Sequence, residues 1–187
     1  MLKELVLNTR SYRRFDNARP VTLDELREMV DAARLSGSAA NRQRIRFVLI
    51  NDKDACDKMF GNVAFAGYLK DWAGPAESER PTAYIVMTCK EENIDTSLAM
   101  DMGIAAEAIL LTATEMGLGG CMIRSFKKPE VDAILNREGY NTAFVIALGK
   151  PTERVYITEV KDGDIKYYRD ENDDHAVPKY SLDELII

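Results

Sequence analysis

Strands and helices alternate along this chain, which predicts an α/β or α+β protein. Three observations carry that prediction. Short runs rich in β-branched and aromatic residues occur at 46–51 (RFVLIN), 82–89 (TAYIVMTC) and 143–148 (AFVIAL). Stretches of helical periodicity with cap signals lie between them. The 187 residues amount to one domain by length, with no repeat, low-complexity tract or linker composition. The spacings alone do not choose between the two classes.

The elements follow in order. Leu2 to Asn8 reads as a short amphipathic helix, followed by a basic segment, Arg10-Ser11-Tyr12-Arg13-Arg14-Phe15. Thr22 and Glu25 form a capping box ahead of Leu23, Leu26, Met29, Val30 and Ala33 at helical spacing, and that helix ends near Ser36-Gly37. A strand at 46–51 leads into a helix at 52–60. The stretch 61–80 holds Gly67, Gly74 and Pro75 and reads as a short helix within a lid-like excursion. The strand at 82–89 precedes the longest helical stretch, 95–116, apolar nearly all round and so destined for a core or a subunit interface. Gly117 stops it. A short strand at 121–123, a helix opened by Pro129 and running to Leu135, and the strand at 143–148 complete the body. Residues 155–168 read as a hairpin or the start of an extended arm reaching 187, and Ser181 with Glu184 caps a last short helix.

Composition bounds the function. Hydrophobic residues are 46% and charged residues 30%, ordinary for a globular protein. With 25 Lys+Arg against 31 Asp+Glu, net charge −6, a sequence-independent grip on nucleic acid is not expected. No apolar run is expected to reach the roughly 20 residues that span a bilayer, and MLKELVLNTR is too short and polar for a signal peptide, so a cytoplasmic location and no membrane partner are expected. Cys56, Cys89 and Cys121 show no CxxC or zinc spacing and read as reduced thiols, two of them on strands; no metal site is expected. The single histidine, His175, follows Asn172-Asp173-Asp174 and reads as a solvated loop residue, with no nucleophile-elbow serine to serve. Gly149-Lys150 runs into Pro151, which rules out a phosphate loop. Gly117-Leu118-Gly119-Gly120 fails as a dinucleotide fingerprint because it follows a helix and places Met122 at the third glycine position.

Two clusters remain. Arg10, Arg13 and Arg14 with Ser11 place three guanidiniums and a hydroxyl within five residues, a donor set suited to phosphate oxygens; in a helical turn Arg10 and Arg13 would share a face. Ser38, Asn41 and Gln43, between a helix end and a strand, can hydrogen-bond the polar edge of a heterocycle or simply cap the loop.

In four segments the chain resembles the nitroreductase family of FMN-dependent oxidoreductases. Residues 9–15 are similar to its R-R-S-x-R-x-F segment, Ser38-Ala39-Ala40-Asn41-Arg42-Gln43 to its S-x-x-N-x-Q loop, Gly103 to Arg124 to its central helix and G-L-G turn, and Ala147-Leu148-Gly149-Lys150-Pro151 to its A-L-G-x-P strand end. Thr9, Arg44-Ile45 and Gly37 stand where the family has arginine, Pro-Trp and proline. The resemblance implies an α+β three-layer sandwich with a central mixed, mostly antiparallel sheet. It implies FMN as cofactor, its phosphate on Arg10, Ser11, Arg13 and Lys179, and its ring near Ser38, Ala39, Ala40 and Gln43, with Asn41 a contact or loop-former. Met122, Ile123 and Arg124 would lie against the flavin from a second chain of a homodimer. Tyr68 and Trp72 of the excursion would border the substrate, Trp72 either stacking on it or anchoring the excursion. The reaction implied is hydride transfer from NADH or NADPH to FMN and then reduction of a flat acceptor such as a nitroaromatic, quinone or enone, in a ping-pong cycle that needs no catalytic side chain. Arg42, Arg44 and Arg124 are candidates for a 2′-phosphate site. An FMN sensor without turnover, reductive dehalogenation or flavin destruction on the same scaffold, and a phosphate-ligand module without flavin remain as alternatives.

Overall fold

The run Ala83–Cys89 forms a strand buried along its whole length, and its side chains alternate between two separate cores. That alternation defines the architecture of the computed structural model, which describes residues 1–187. The elements are α1 (Leu2–Asn8), α2 (Leu23–Leu35), β1 (Arg46–Ile50), α3 (Lys53–Phe60), β2 (Ala83–Cys89), α4 (Thr96–Glu115), β3 (Gly119–Ile123), α5 (Lys128–Leu135), β4 (Asn141–Gly149), β5 (Val155–Glu159), β6 (Tyr168–Arg169), β7 (His175–Lys179) and α6 (Leu182–Leu185).

The main sheet has the order β1-β2-β4-β3 and is antiparallel throughout. Ile85 and Met87 of β2 join Leu26 and Met29 of α2 and Leu98, Ala106 and Ile109 of α4 in one core. Tyr84 and Val86 join Cys56 and Met59 of α3 and Val131 and Leu135 of α5 in the other. Each fully buried aliphatic side chain contributes about 1.5–3 kcal/mol. The result is a helix–sheet–helix sandwich of the α+β class. Parallel pairing is confined to β5 with β7 and to a single Ser11–Gly120 bridge at the β3 edge of the main sheet.

Local signals act where the sequence places them. Thr22 and Glu25 make their reciprocal capping box, as do Ser181 and Glu184. Gly117 takes φ +70°, the left-handed conformation that ends α4. Pro129 is in the first turn of α5, which starts one residue earlier than expected, at Lys128. All three cysteines are buried and free, and burial pushes the Cys56 thiol up to about 12.

Three expectations are corrected. The 20 residues of α4 are long and apolar enough to cross a bilayer by length and composition. Their apolarity has a local cause, since Leu98, Met102, Ala105, Ala106, Ile109 and Leu110 pack into the first core while Met100 and Ile104 are exposed. Of the hairpin or extended arm expected at 155–168, only a Lys161–Asp164 bridge across a tight turn is local; β5 and β6 both pair with β7, in the order β5-β7-β6. Their partner lies downstream of that window, so local reading misses the pairing. Residues 10–15 are not a helical turn but an extended segment laid along β3 and the end of β4, through Ser11–Gly120 and Phe15–Pro151 bridges. Phe15 is fully buried there, and any Cβ on Gly149 would meet its ring at 2.7 Å.

Candidate functional site

The extended N-terminal segment decides where its arginines go. Backbone bonds from Tyr12 to Gly120 (3.0 Å) and from Asp16 to Lys150 (2.8 Å) fix its path. The Glu153 carboxylate, just past β4, accepts from the amides of Arg13 and Arg14 and pairs with Arg169 of β6 at 2.5 Å. That one acid ties the small sheet to the N-terminal segment. Arg14 turns away to Asp173 and to Glu79 (3.8 Å), so it stays out of the cation cleft.

Arg10, Ser11 and Arg13 enter a cleft of about 230 Å³ together with Lys179 of β7 and Met122 of β3. One carboxylate, Glu107 of α4, is at its edge. Arg13 is only 7% exposed, and its Nη1 donates to the Ser11 carbonyl at 3.1 Å. The Nε atoms of Arg10 and Arg13 are buried without a partner. Three cations against one carboxylate, with two orphaned guanidinium nitrogens, form a donor set that fits a phosphate. Thr9, where a further arginine was expected from the family pattern, is buried and bonds Thr114 of α4 at 3.0 Å.

His175 corrects the sequence reading. It is fully buried, borders the cation cleft, and lies with Nδ1 and Nε2 at 3.4 and 3.5 Å from Arg13 Nη1. The acidic run before it turns outward to Arg14 and Arg154, which leaves the histidine as the first residue of β7, facing inward. Burial and the Arg13 charge bring its pKa down to about 4. Tyr167 packs tilted against the imidazole, ring centres 5.1 Å apart, and Tyr68 of the excursion packs tilted against Tyr167 at 5.0 Å.

The second cluster borders a different cleft, of about 250 Å³. Ser38 and Gln43 line it above an apolar floor that includes Val30, Ala33, Ile45 and Phe47. The loop is strained: Ala40, Asn41 and Gln43 have φ of 51°, 52° and 49°. Gln43 Nε2 bonds the Asn41 side chain at 3.1 Å, and the Gln43 amide donates to Ser38 Oγ at 3.4 Å. Asp101 of α4, 4% exposed, holds the loop through the Ala39 amide at 2.8 Å, and its second carboxylate oxygen is buried without a partner. Asp101 is flanked by Met100 and Met102 in a largely apolar helix, and that isolated acid was its one signal in the sequence.

The helix α4 separates the two clefts. Asp101 and Ala105 face one, Glu107 and Leu110 the other. At about 100° per residue these pairs lie on opposite sides of the helix. The remaining expected residues scatter. Ile123 is buried in the second core, while Arg124 and Arg42 are exposed and line neither cleft. Met122 lines the cation cleft of its own chain. Arg44 is paired with Asp95 at 2.6 Å and Ser97 at 2.7 Å, and the arginine holds the Asp95 carboxyl well below its usual range. Tyr68 is half exposed. Trp72 lines neither cleft; its ring lies 5.9 Å from the Arg14 guanidinium and 5.3 Å from that of Arg169, which anchors the excursion to the body.

An antiparallel sheet between two helical layers, with a long apolar helix between a cationic cleft and an apolar-floored one, defines a class of α+β sandwich. The family follows from comparison: the nitroreductase family model matches residues 6–150, and the chain belongs to that family. A nitroreductase family protein from Streptococcus pneumoniae TIGR4 aligns over 100% of this chain and 99% of its own, at TM-score 0.69 and 16% identity. One from Clostridium novyi NT covers 81% of this chain and 86% of its own, at TM-score 0.66 and 20% identity. An FMN-dependent nitroreductase from Clostridium difficile R20291 covers 86% and 92%, at TM-score 0.63 and 21% identity. At these identities the likeness shows the fold. A search of curated proteins finds no match. His175 and Lys179 lie beyond the family match but within the Streptococcus alignment.

Proposed function

We propose that the protein is an FMN-dependent oxidoreductase that takes electrons from NADH or NADPH and reduces a flat acceptor such as a nitroaromatic, quinone or enone. The carrying observation is the cation cleft, where Arg10, Arg13, Ser11 and Lys179 converge with orphaned guanidinium nitrogens, in a chain of the nitroreductase family. When bound, FMN supplies a ring that accepts hydride from the nicotinamide and releases electrons to the acceptor in a ping-pong cycle. The chain's own residues hold and orient. Arg10, Arg13 and Lys179 neutralise the phosphate and Ser11 adds a neutral donor. The loop 38–43 offers the Ser38 hydroxyl, the Gln43 amide and its backbone to the ring's polar edge, in a conformation fixed in advance by Asp101. The apolar floor under it excludes water.

The opposed clefts support a homodimer. A ligand held by the cation cleft of one chain is shielded by α4 from the loop 38–43 of that same chain, so a second copy has to complete the site. Exposed Met100 and Ile104 of α4 and exposed Leu2, Val6 and Leu7 of α1 are the apolar surface available for that contact.

The test is a visible spectrum of the purified protein before and after anaerobic addition of NADH, then NADPH, with sedimentation in parallel. A flavin spectrum that bleaches, on a particle of twice 21.0 kDa, is expected. A colourless protein that cannot be reconstituted with FMN overturns the reading.

A further inference from the structure

We propose that His175 is itself a phosphate-contacting residue: its ring N–H donates to the phosphate held by Arg10, Arg13 and Lys179. The inference rests on the phosphate reading of the cation cleft.

The geometry carries it through an unmet hydrogen bond. A neutral imidazole always has one N–H, which needs an acceptor when buried. The only polar neighbour of either His175 nitrogen is Arg13 Nη1, and a guanidinium can only donate. One ring nitrogen can accept from Arg13, so the other is left with a hydrogen and nothing to receive it. Tyr167 closes one face of the ring, with its hydroxyl engaged by the Tyr68 amide at 3.3 Å. His175 is among the residues that line the cleft, with Arg10 and Lys179. A phosphate oxygen there is an acceptor for the orphaned N–H.

The charges around the ring make its titration a readout of the contact. Burial most of all, then Arg13 and Arg14 of the N-terminal segment and Arg169 of β6, disfavour the imidazolium, and Glu153 favours it. Cys121 of β3 and Tyr167 face the same cluster without charge, and Arg10, Lys179 and Glu107 border the cleft. A dianion seated among these cations reverses the local balance. An opposite charge within hydrogen-bonding range raises such a pKa by about 1–3 units.

His175 is the chain's only histidine, so its ring protons give an unambiguous NMR signal. The wild-type protein is titrated with pH alone, with inorganic phosphate, with FMN and with riboflavin. A midpoint near 4 in the free protein is expected to rise by at least about one unit with FMN and with inorganic phosphate, and to stay put with riboflavin. FMN binding with an unmoved midpoint overturns the proposal and leaves the flavin reading intact. An equal shift with riboflavin also overturns it. A shift with inorganic phosphate in a protein that refuses FMN upholds His175 and overturns the flavin reading. If neither ligand binds, both fall. As a second measurement, His175→Leu is expected to lower FMN affinity roughly 10- to 100-fold with riboflavin affinity unchanged, and His175→Gln, which keeps an N–H donor, to recover most of it. Equal affinities for wild type and His175→Leu overturn the contact.

Discussion

The two clefts on either side of α4 are built by different means. The cation cleft is made of charge: long side chains from the N-terminal segment and β7 converge on one space, held by sheet-like backbone pairing and by Glu153. The loop cleft is made of backbone: three non-glycine residues in left-handed conformation, pinned by the single carboxylate of Asp101. The first should respond to electrostatics and pH, the second to conformational strain.

The largest expected effect separates them by pH. His175 has an ordinary pKa of 6.5 when unfolded and about 4 when folded. The unfolded chain therefore binds a proton between those values that the folded chain refuses. Stability falls as pH drops through that window, by roughly 3 kcal/mol in all. The Arg44–Asp95 pair beside the loop cleft persists through the same window because Asp95 stays ionised there. Denaturant titrations at pH 7 and 4.5 are expected to show the loss in wild type and a reduced loss in His175→Gln; equal losses would erase the distinction.

The next effect is on ligand grip. Arg13→Ala and Arg10→Ala each remove a charge-assisted phosphate contact of about 1.5–3 kcal/mol, or 10- to 100-fold in FMN affinity, with riboflavin binding unchanged. A titration in which both ligands weaken equally would show that the clefts do not act separately. The mirror experiment is Asp101→Ala. It leaves the Ala39 amide unpaired at a cost of about 1–3 kcal/mol, and should weaken riboflavin while sparing inorganic phosphate. The smallest effect belongs to Ala40→Gly. Glycine tolerates φ 51° without penalty but frees the unfolded chain, so the net stability change stays within about 1 kcal/mol. A larger change would mean that the Ala40 methyl itself supports the loop.

The sequence was most legible where neighbours in the chain decide the outcome. Capping pairs such as Thr22–Glu25 and the β-rich run at 82–89 lie where periodicity and cap chemistry put them. Arg10, Ser11 and Arg13, close in sequence and alike in chemistry, do line one cleft, and Lys179, which only the family resemblance pointed to, lines it too. What stayed hidden depends on partners far along the chain. His175 looks solvated beside Asp173 and Asp174 until β7 pairs with β5 and β6 and turns it onto Arg13. Arg14 is indistinguishable from Arg13 in sequence, and the positions of Asp173 and Glu79 send it elsewhere. The left-handed residues 40, 41 and 43 include no glycine to mark them.

The indole of Trp72 lies against guanidiniums from distant parts of the chain, Arg14 and Arg169. It is also the only tryptophan in 187 residues. The protein thus carries a built-in fluorophore at the seam where excursion, N-terminal segment and small sheet meet. Its emission reports the parting of that seam in real time, so undocking of the small sheet can be followed separately from melting of the sandwich, without adding a label.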